Sequence, residues 1–584
     1  MKKIISIIAV ASAFACLASA QTTYDALTFS RSNYYGTART LGMGNAVTAV
    51  GGDLGTIAIN PAGGAVSGFS QFSFSTGFST SSSESSYSPS YKISDGPAFS
   101  GSFEDSKTRM TVPNVGLNLV FDGAADGIVR WNFGFLINRS QTFTNMISAV
   151  GAENISSITG AFATAAAGMP GTILADNSMW DRGYGWNPLA AYDGGLINYN
   201  SAYNCYYGSA EVQTGTQFDA ALGKDMPEYG VRGVLNQRIG TTTLGSRNDL
   251  IFNYGVDIND RLFLGASFAI PIANYRYSEY FGETAASSAD FPVTPEFWRN
   301  YTYVTGTATE YVGSTYEYTY KSDISGVNAK IGVIWLPTDG LRLGAAFQTP
   351  TAYTINERWY LDVRSTFANS EYNASSGSPV AEASYNFRSP YSANFGVAYT
   401  FGRIGMLSVD YELTDFSIMK FSEIADEEYG YSYDDPFRRV NSINKLFCGV
   451  SHSLRVGAEV RPLPFLSLRA GFNLVTDPER TYLDNEGYVV NASEYDTYFD
   501  QFENGSYRLD RASKEYVGKK AVSVSLGAGY SSGGSFFADV ALRRTTLPET
   551  EYSPYASYLG GYASPALRSN SSLFDAVLTL GWRF

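Results

Sequence analysis

The sequence predicts an all-β chain, a transmembrane antiparallel β-barrel of about fourteen strands with an N-terminal plug in its lumen. Three observations lead there. In the last twelve residues, Phe574, Ala576, Leu578, Leu580, Trp582 and Phe584 fall on one face of a strand, while Asp575, Val577, Thr579, Gly581 and Arg583 fall on the other. One apolar and one polar face suit a wall between lipid and a polar lumen, although a soluble sandwich also buries an apolar face. The second observation is recurrence of this pattern in pairs of segments along the chain. The third is segregation of the connections: six are tight turns, and the alternating ones are long.

In chain order, residues 1–20 read as a secretory signal: Lys2 and Lys3 supply the charge, Ile4 to Leu17 the apolar stretch, and Ala18-Ser19-Ala20 the small-residue cleavage site. Cys16 as a lipoprotein anchor is the rival reading, but Ala13-Phe14-Ala15 before it matches that pattern poorly. Residues 21–68 do not alternate, and residues 69–584 are expected to form the barrel with its long external loops. A first strand lies near Gln71–Ser79. Hairpins then turn at Asp122–Gly127, Asp257–Asp260, Pro337–Gly340, Gly402–Gly405, Pro462–Pro464 and Ser531–Ser535. Before and after the third of these, for example, Val327, Ala329, Ile331, Val333 and Trp335 are answered by Leu341, Leu343, Ala345 and Phe347. Six hairpins give twelve strands, and the first and last make fourteen, with both ends of the barrel wall on one side. The long connections span about 80–112, 139–247, 272–325, 348–391, 413–452, 474–520 and 544–572. They are rich in Tyr, Ser, Gly and Asp, as in Asp426–Asp435. In the longest, Ile155, Ile158, Phe162, Ala166 and Met169 recur at helical spacing before Pro170. That helix either presents an apolar groove at the surface or packs back on its own loop.

Composition agrees. Charged residues make up 16%, aromatics 15% with 43 Tyr and 37 Phe, and there are 58 Gly. This suits aromatic-belted strands and large polar loops. Beyond the leader no segment offers the ~18 apolar residues of a spanning helix. The net charge of -14, or -16 once Lys2 and Lys3 are removed, argues against a nucleic-acid partner, because phosphate binding needs clustered cations. Cys205 and Cys448 are the thiols left after the leader, and whether they bridge is open.

Residues 21–68 are Gly- and Ala-rich and too few to build a core of their own, so they must pack inside something. They hold Ala38-Arg39, Gly42-Met43-Gly44 with Ala46, Gly52-Asp53 and Asn60-Pro61-Ala62-Gly63. This resembles the hatch of the FadL/OmpP1/TodX family of outer-membrane transporters of long-chain fatty acids and other hydrophobic compounds. Leu341–Phe347, Phe395–Tyr399 with Val409–Tyr411, and Leu454–Glu459 with Leu468–Gly471 resemble that family too. The resemblance implies a cell outer membrane location, fourteen strands, a plugged lumen and substrate exit through a lateral opening in the wall. The very long second loop departs from the family.

Alternation points Val120, Leu136, Ile251, Phe263, Ile334, Phe537 and Val577 inward, where they either line a cavity for an alkyl chain or pack against the plug. The inward cations Arg130, Lys330, Arg342, Arg455, Arg469 and Arg543 are candidates to meet a ligand carboxylate, or to pair with inward Asp410, Glu459 and Asp539. Arg39, Asp53 and Asn60, with Gly42, Gly44 and Pro61, are the gating candidates, a short turn tied by Arg–carboxylate pairs. An enzyme is not expected. The single histidine, His452, sits between Ser451 and Ser453, whose side chains point to the opposite face of the strand. One His and two distant Cys give no metal spacing, no glycine-rich phosphate loop occurs, and no cofactor is expected. The expected function is transport of long-chain fatty acids or other hydrophobic small molecules by a monomeric barrel in contact with outer-membrane lipid. The alternative is a PorV-like barrel that serves protein secretion as a binding or shuttle component.

Overall fold

The computed structural model describes residues 22–123, 125–176, 180, 185–219, 223–299, 302–425, 435–483, 489–490, 515–517 and 520–584. The expected leader, residues 1–20, and most of the Asp426–Asp435 run lie outside them.

Fourteen antiparallel strands form a closed wall. They are β1 Gln71–Ser88, β2 Ser100–Asp122, β3 Ile128–Thr142, β4 Leu235–Ile258, β5 Leu262–Ala285, β6 Thr309–Trp335 and β7 Leu341–Gln348. Then come β8 Ser392–Thr400, β9 Gly405–Asp415, β10 Val450–Leu463, β11 Leu466–Thr476, β12 Lys520–Ser531, β13 Phe536–Thr546 and β14 Ala566–Arg583. Several strands are broken and continue beyond the break, among them β3 as Asn145–Glu153, β7 as Ala352–Phe367, β8 from Ala381–Arg388, β9 as Lys420–Glu423 and β13 as Thr550–Tyr552. Each strand pairs with the next in sequence. β1 closes the ring on β14 from Gln71↔Arg583 to Ser88↔Ala566. Closure matters because a strand edge in hydrocarbon would leave a row of peptide groups unpaired at several kcal/mol each.

The six tight turns fall at 123–127, 259–261, 336–340, 401–404, 464–465 and 532–535. At the second, Asn259 and Asp260 take φ of 56° and 53°, the left-handed region that Asn and Asp tolerate best among residues with a side chain. Outward residues form an apolar belt in which Phe74, Phe135, Phe252, Phe395, Leu526 and Phe574 stay more than a third exposed.

The strands run further than the alternation indicated. Residues 80–88, 100–112, 272–285 and 309–325, expected as loop, continue the wall. Above the belt the outward positions become Ser, Thr, Glu and Arg, so the apolar half of the pattern vanishes while the ladder persists. The helix expected between Ile155 and Met169 is shorter, Ile158–Ala165, and is capped by Ser157. It packs its Ile158, Phe162 and Ala163 into a core with Leu189, Ala190, Leu196, Val363 and Tyr555, so it presents no open groove. Cys205 and Cys448 are free thiols. Burial pushes the Cys448 thiol up to about 12.

Two outcomes follow. After Cys205 and Cys448 are replaced by Ser, a cysteine at Gly340 in a short turn should resist an impermeant thiol reagent on whole cells, and one at Ser94 in a long connection should react. In the unaltered protein, denaturation without reductant should make both native thiols alkylatable, read by mass spectrometry.

Candidate functional site

The N-terminal segment, residues 22–70, lies within the ring, touching inward faces on opposite sides of it. Helix α1, Thr23–Ser30, is started by a capping box in which the Asp25 carboxylate accepts from Thr22 N at 2.9 Å and Asp25 N donates to Thr22 Oγ1 at 3.2 Å. Its Ala26, Leu27 and Phe29 enter an aromatic cluster in the lumen with Phe143, Tyr275, Tyr320, Tyr353 and Trp359. Phe29 meets Tyr275 edge to face at 5.6 Å.

After α1 the chain is extended and held by cations on its carbonyls. Arg247 Nη1 donates to Phe29 O at 2.8 Å and its Nη2 to Arg31 O at 3.1 Å. Arg543 Nη1 donates to Asn33 O and Tyr34 O, each at 3.1 Å, while its Nη2 pairs with Asp575 at 2.8 Å. Arg31 makes a two-pronged contact with Asp477 at 2.9 and 2.7 Å. Asn33 N donates to Ser140 O at 2.8 Å and Tyr35 N to Arg139 O at 3.1 Å.

Those last two bonds fall at a seam. β2 pairs with β3 only from Asn114↔Asn138 to Asp122↔Arg130. Beyond that level β2 keeps its ladder with β1, and the β3 continuation is laddered to β4. Among the described residues no ladder joins Ser100–Pro113 to Asn145–Glu153. The continuation leans inward over β1, where Ser81 Oγ donates to Asn145 Oδ1 at 3.2 Å and Ser83 Oγ bonds Met146 O. Asn33–Tyr35 therefore occupies backbone positions on β3 that β2 leaves free, and Phe143, at the β3 break, belongs to the aromatic cluster as well.

Below the seam the segment forms α2 (Ala38–Gly42), α3 (Leu54–Ile57) and a 3-10 turn, Pro61–Gly64, each capped by a short polar side chain: Thr37, Asp53 and Asn60. Asp53 accepts from Gly55 N at 2.9 Å and Thr37 Oγ1 at 2.5 Å, so it caps a helix and does not pair with Arg39. Arg39 instead reaches the wall, with Nε 3.1 Å from Glu459. Asn60 Nδ2 donates to Thr48 O at 2.7 Å and to wall Val333 O at 3.1 Å, and Asn253 Nδ2 donates to Pro61 O at 3.0 Å. Gly42 O accepts from Ser525, and Gly44, at φ 62°, lies where a Cβ would stand 2.8 Å from Phe472 N.

The inward apolar candidates divide by position. Leu136 and Ile251 pack on Leu54 and Ile57. Phe263 and Ile334 pack on Ala62 and Ala65, and Val577 on Ala38 and Leu41. Phe537 lies under Arg583 at 4.8 Å, and Val120 sits at the turn end of the wall, its N–H on Ser70 Oγ at 2.9 Å. The cations hold backbone or wall carboxylates: Lys330 Nζ donates to Ala58 O at 2.5 Å and Arg342 to Val50 O at 2.7 Å. Arg455 pairs with Glu412, and Arg469 bridges Glu459 at 2.8 Å and Asp539 at 2.5 Å. Arg130 pairs with Asp257 at 2.6 Å. His452 lies on the outer face, its Nδ1 2.7 Å from the Tyr411 hydroxyl. Among the described residues no group of His, Cys, Asp or Glu could hold a metal ion.

Sequence reasoning missed the seam, the roles of Arg247 and Arg543 on carbonyls, and an inward row of wall glycines. Gly265, Gly332, Gly344, Gly396, Gly457 and Gly471 each face the N-terminal segment, and a Cβ at Gly332 would overlap Asn60 Oδ1. The signal was present: an inward glycine in the middle of successive strands, as in Leu343-Gly344-Ala345, Val456-Gly457-Ala458 and Ala470-Gly471-Phe472.

No protein-family model and no curated protein matches the chain. Among solved structures it is similar to a Pseudomonas aeruginosa FadL homologue, with 14% identity, TM-score 0.49, and coverage of 95% of this chain and 99% of that one. It is also similar to the P. putida toluene transporter TodX, with 12% identity, TM-score 0.42, and coverage of 94% and 98%. For the Ralstonia pickettii toluene transporter TbuX the figures are 13%, 0.39, 94% and 98%. At such identities the likeness is one of barrel architecture.

Gly332→Val should displace the Asn60–Pro61 turn while the wall stays intact, an overpacking cost of about 1–3 kcal/mol. The expected result is a barrel that remains heat-modifiable on a gel but admits small sugars faster in liposome swelling. Unchanged swelling would show that the turn does not obstruct the lumen.

Proposed function

We propose that this chain is an outer-membrane channel that carries hydrophobic small molecules, such as fatty acids or monoaromatic compounds, to a lateral exit in its wall. The observation that carries the reading is an aromatic cluster in the lumen, occupied by the apolar face of α1, next to a break in the wall ladder. In this reading residues 21–68 are a hatch and 69–584 the barrel.

A hydrophobic ligand entering from the loop side takes the place of Leu27 and Phe29 among Phe143, Tyr275, Tyr320 and Tyr353. The aromatic surface is then kept out of water with either occupant, so exchange costs little. Withdrawal of α1 releases Phe29 and Arg31 from Arg247 and pulls on Asn33–Tyr35, which is held at the seam by two backbone hydrogen bonds and the Arg543 contacts. The neutral bonds contribute ~1 kcal/mol each and the guanidinium bonds roughly 2 kcal/mol each, a cost that burial of the ligand in the cluster offsets. Once it peels away, the ligand leaves sideways between β2 and β3 at the level of Met110 and Val112, outward residues that are 71% and 42% exposed. The inward Arg and Asn residues below stay engaged with the hatch, so no continuous aqueous pore opens. The charged candidates act in this scheme as anchors of the hatch.

The test is uptake by cells of labelled palmitate and labelled toluene. Cysteines at Asn33 and Ser140, in a background with Cys205 and Cys448 changed to Ser, should block uptake when joined by a short cleavable thiol crosslinker, and reductant should restore it. Uptake that is indifferent to the crosslink would remove the seam from the path. Absence of uptake by the unaltered protein, with secreted protein co-purifying, would favour the shuttle role instead.

A further inference from the structure

On the outer face of the wall, away from the lumen and independent of what it carries, β7 and β8 are broken side by side by Pro350 and Pro390. Proline lacks the N–H that would continue the ladder. β6 passes from pairing Lys330↔Gln348 to pairing Val327↔Ala352, and the neighbouring strands pair Ala352↔Arg388 and Arg388↔Lys420. The breaks leave a furrow of about 610 Å³ lined by Ile270, Val327, Ala352, Thr354, Asn386 and Arg388. Below it the wall is apolar and lipid-facing, with Phe268 and Ile331 at 47% and 62% exposure, and Ile272, 49% exposed, stands at its upper end.

Beside the furrow and above it the same face turns basic, in a chain whose net charge is -14. Arg388 and Lys420 are exposed cross-strand neighbours. Six residues further along the strands, Arg276, Lys321 and Arg358 stand side by side in register, all exposed. None of the five forms an ion pair among the described residues, and Arg388 has a bond only to Ile418 O at 3.3 Å. The acids on this face are exposed Asp323, between the two rows, Glu382, opposite Arg358, and the cross-strand pair Glu317 and Asp362, four residues above the upper row. Like charges directly opposite one another on a sheet are destabilising. Two such rows at the upper edge of a lipid-facing surface are accounted for by an anionic partner at headgroup height.

We propose that this face binds a phosphorylated glycolipid of the outer leaflet, with an acyl chain in the furrow and phosphates on both cation rows. The spacing selects the ligand class. Six residues at about 3.3 Å each separate the rows by roughly 20 Å. A glycerophospholipid, with one phosphate beside its acyl chains, reaches Arg388 and Lys420 alone. A glycolipid that carries phosphates on its anchor sugars and on the sugars above them reaches both rows. Charge-assisted bonds from Arg and Lys to phosphate oxygens supply the attraction, and the apolar furrow orders one chain.

The experiment uses the purified full-length protein in nanodiscs, with lipopolysaccharide and phosphatidylglycerol as separate probes and retained lipid counted by native mass spectrometry. The unaltered protein should retain lipopolysaccharide at least tenfold more tightly than phosphatidylglycerol, and 1 M salt should weaken it strongly, since screening shortens to ~3 Å. Arg276→Gln with Lys321→Gln and Arg358→Gln should remove the preference while leaving phosphatidylglycerol binding unchanged. Arg388→Gln with Lys420→Gln should weaken both probes. All five side chains are exposed, so these variants are expected to stay heat-modifiable. Equal retention of the two lipids, or lipopolysaccharide binding that survives the triple change, would overturn the proposal.

Discussion

Closure of the backbone ladder is the constraint on which the rest of this structure depends. In hydrocarbon no water is available to an unpaired peptide group, so the chain must pair each strand on both sides through the apolar belt. The β1–β14 pairing does this and fixes which side chains face lipid and which face the lumen. It also makes the departures informative. Where β2 and β3 part above Asn114 and Asn138, the free edge of β3 is taken by the backbone of Asn33–Tyr35. The closing element there is an extended piece borrowed from the N-terminal segment.

The segment inside the ring has too few residues for a core of its own, and the wall supplies one. Its short helices are made possible by side-chain caps, because four or five residues cannot satisfy their own terminal N–H groups. Thr37, Asp53 and Asn60 do that work, and Asn60 spends its remaining amide on the wall at Val333. The buried guanidinium groups are likewise committed. Below the seam Arg39 reaches Glu459, and Arg469 sits between Glu459 and Asp539. Removing one partner from such a pair leaves a buried charge behind, so the arrangement resists partial loosening. The aromatic cluster around α1 holds it chiefly by dispersion and burial, with its Tyr320 and Tyr353 hydroxyls fixed on Glu357 and Arg247. The segment is thus anchored by polar bonds below the seam and packed mainly by apolar contacts above it.

Much of this was legible in the residues themselves. Alternation at Leu573–Phe584 and around Pro337–Gly340 specifies a two-faced strand whatever surrounds it, and loop lengths specify which side each turn lies on, so the strand number and the order of pairing were determined before any tertiary contact was known. The alternation stopped being readable at Ser81–Ser88 and Ser314–Asp323, because strands beyond the belt have polar residues on both faces and only the ladder marks them as wall. Gly332 and Gly471 were visible as glycines but not as a seat for the segment, since a missing Cβ acquires meaning only from what approaches it. Pairing choices among inward charges were undetermined for the same reason. Arg39 had Asp53 near it in sequence, yet the fold brings Glu459 to it and gives Asp53 to a helix end. The ring and its faces thus come from local periodicity, which one strand expresses alone. The seam, the carbonyl clamps and the basic outer face depend on register between residues hundreds of positions apart, and only the closed barrel decides them.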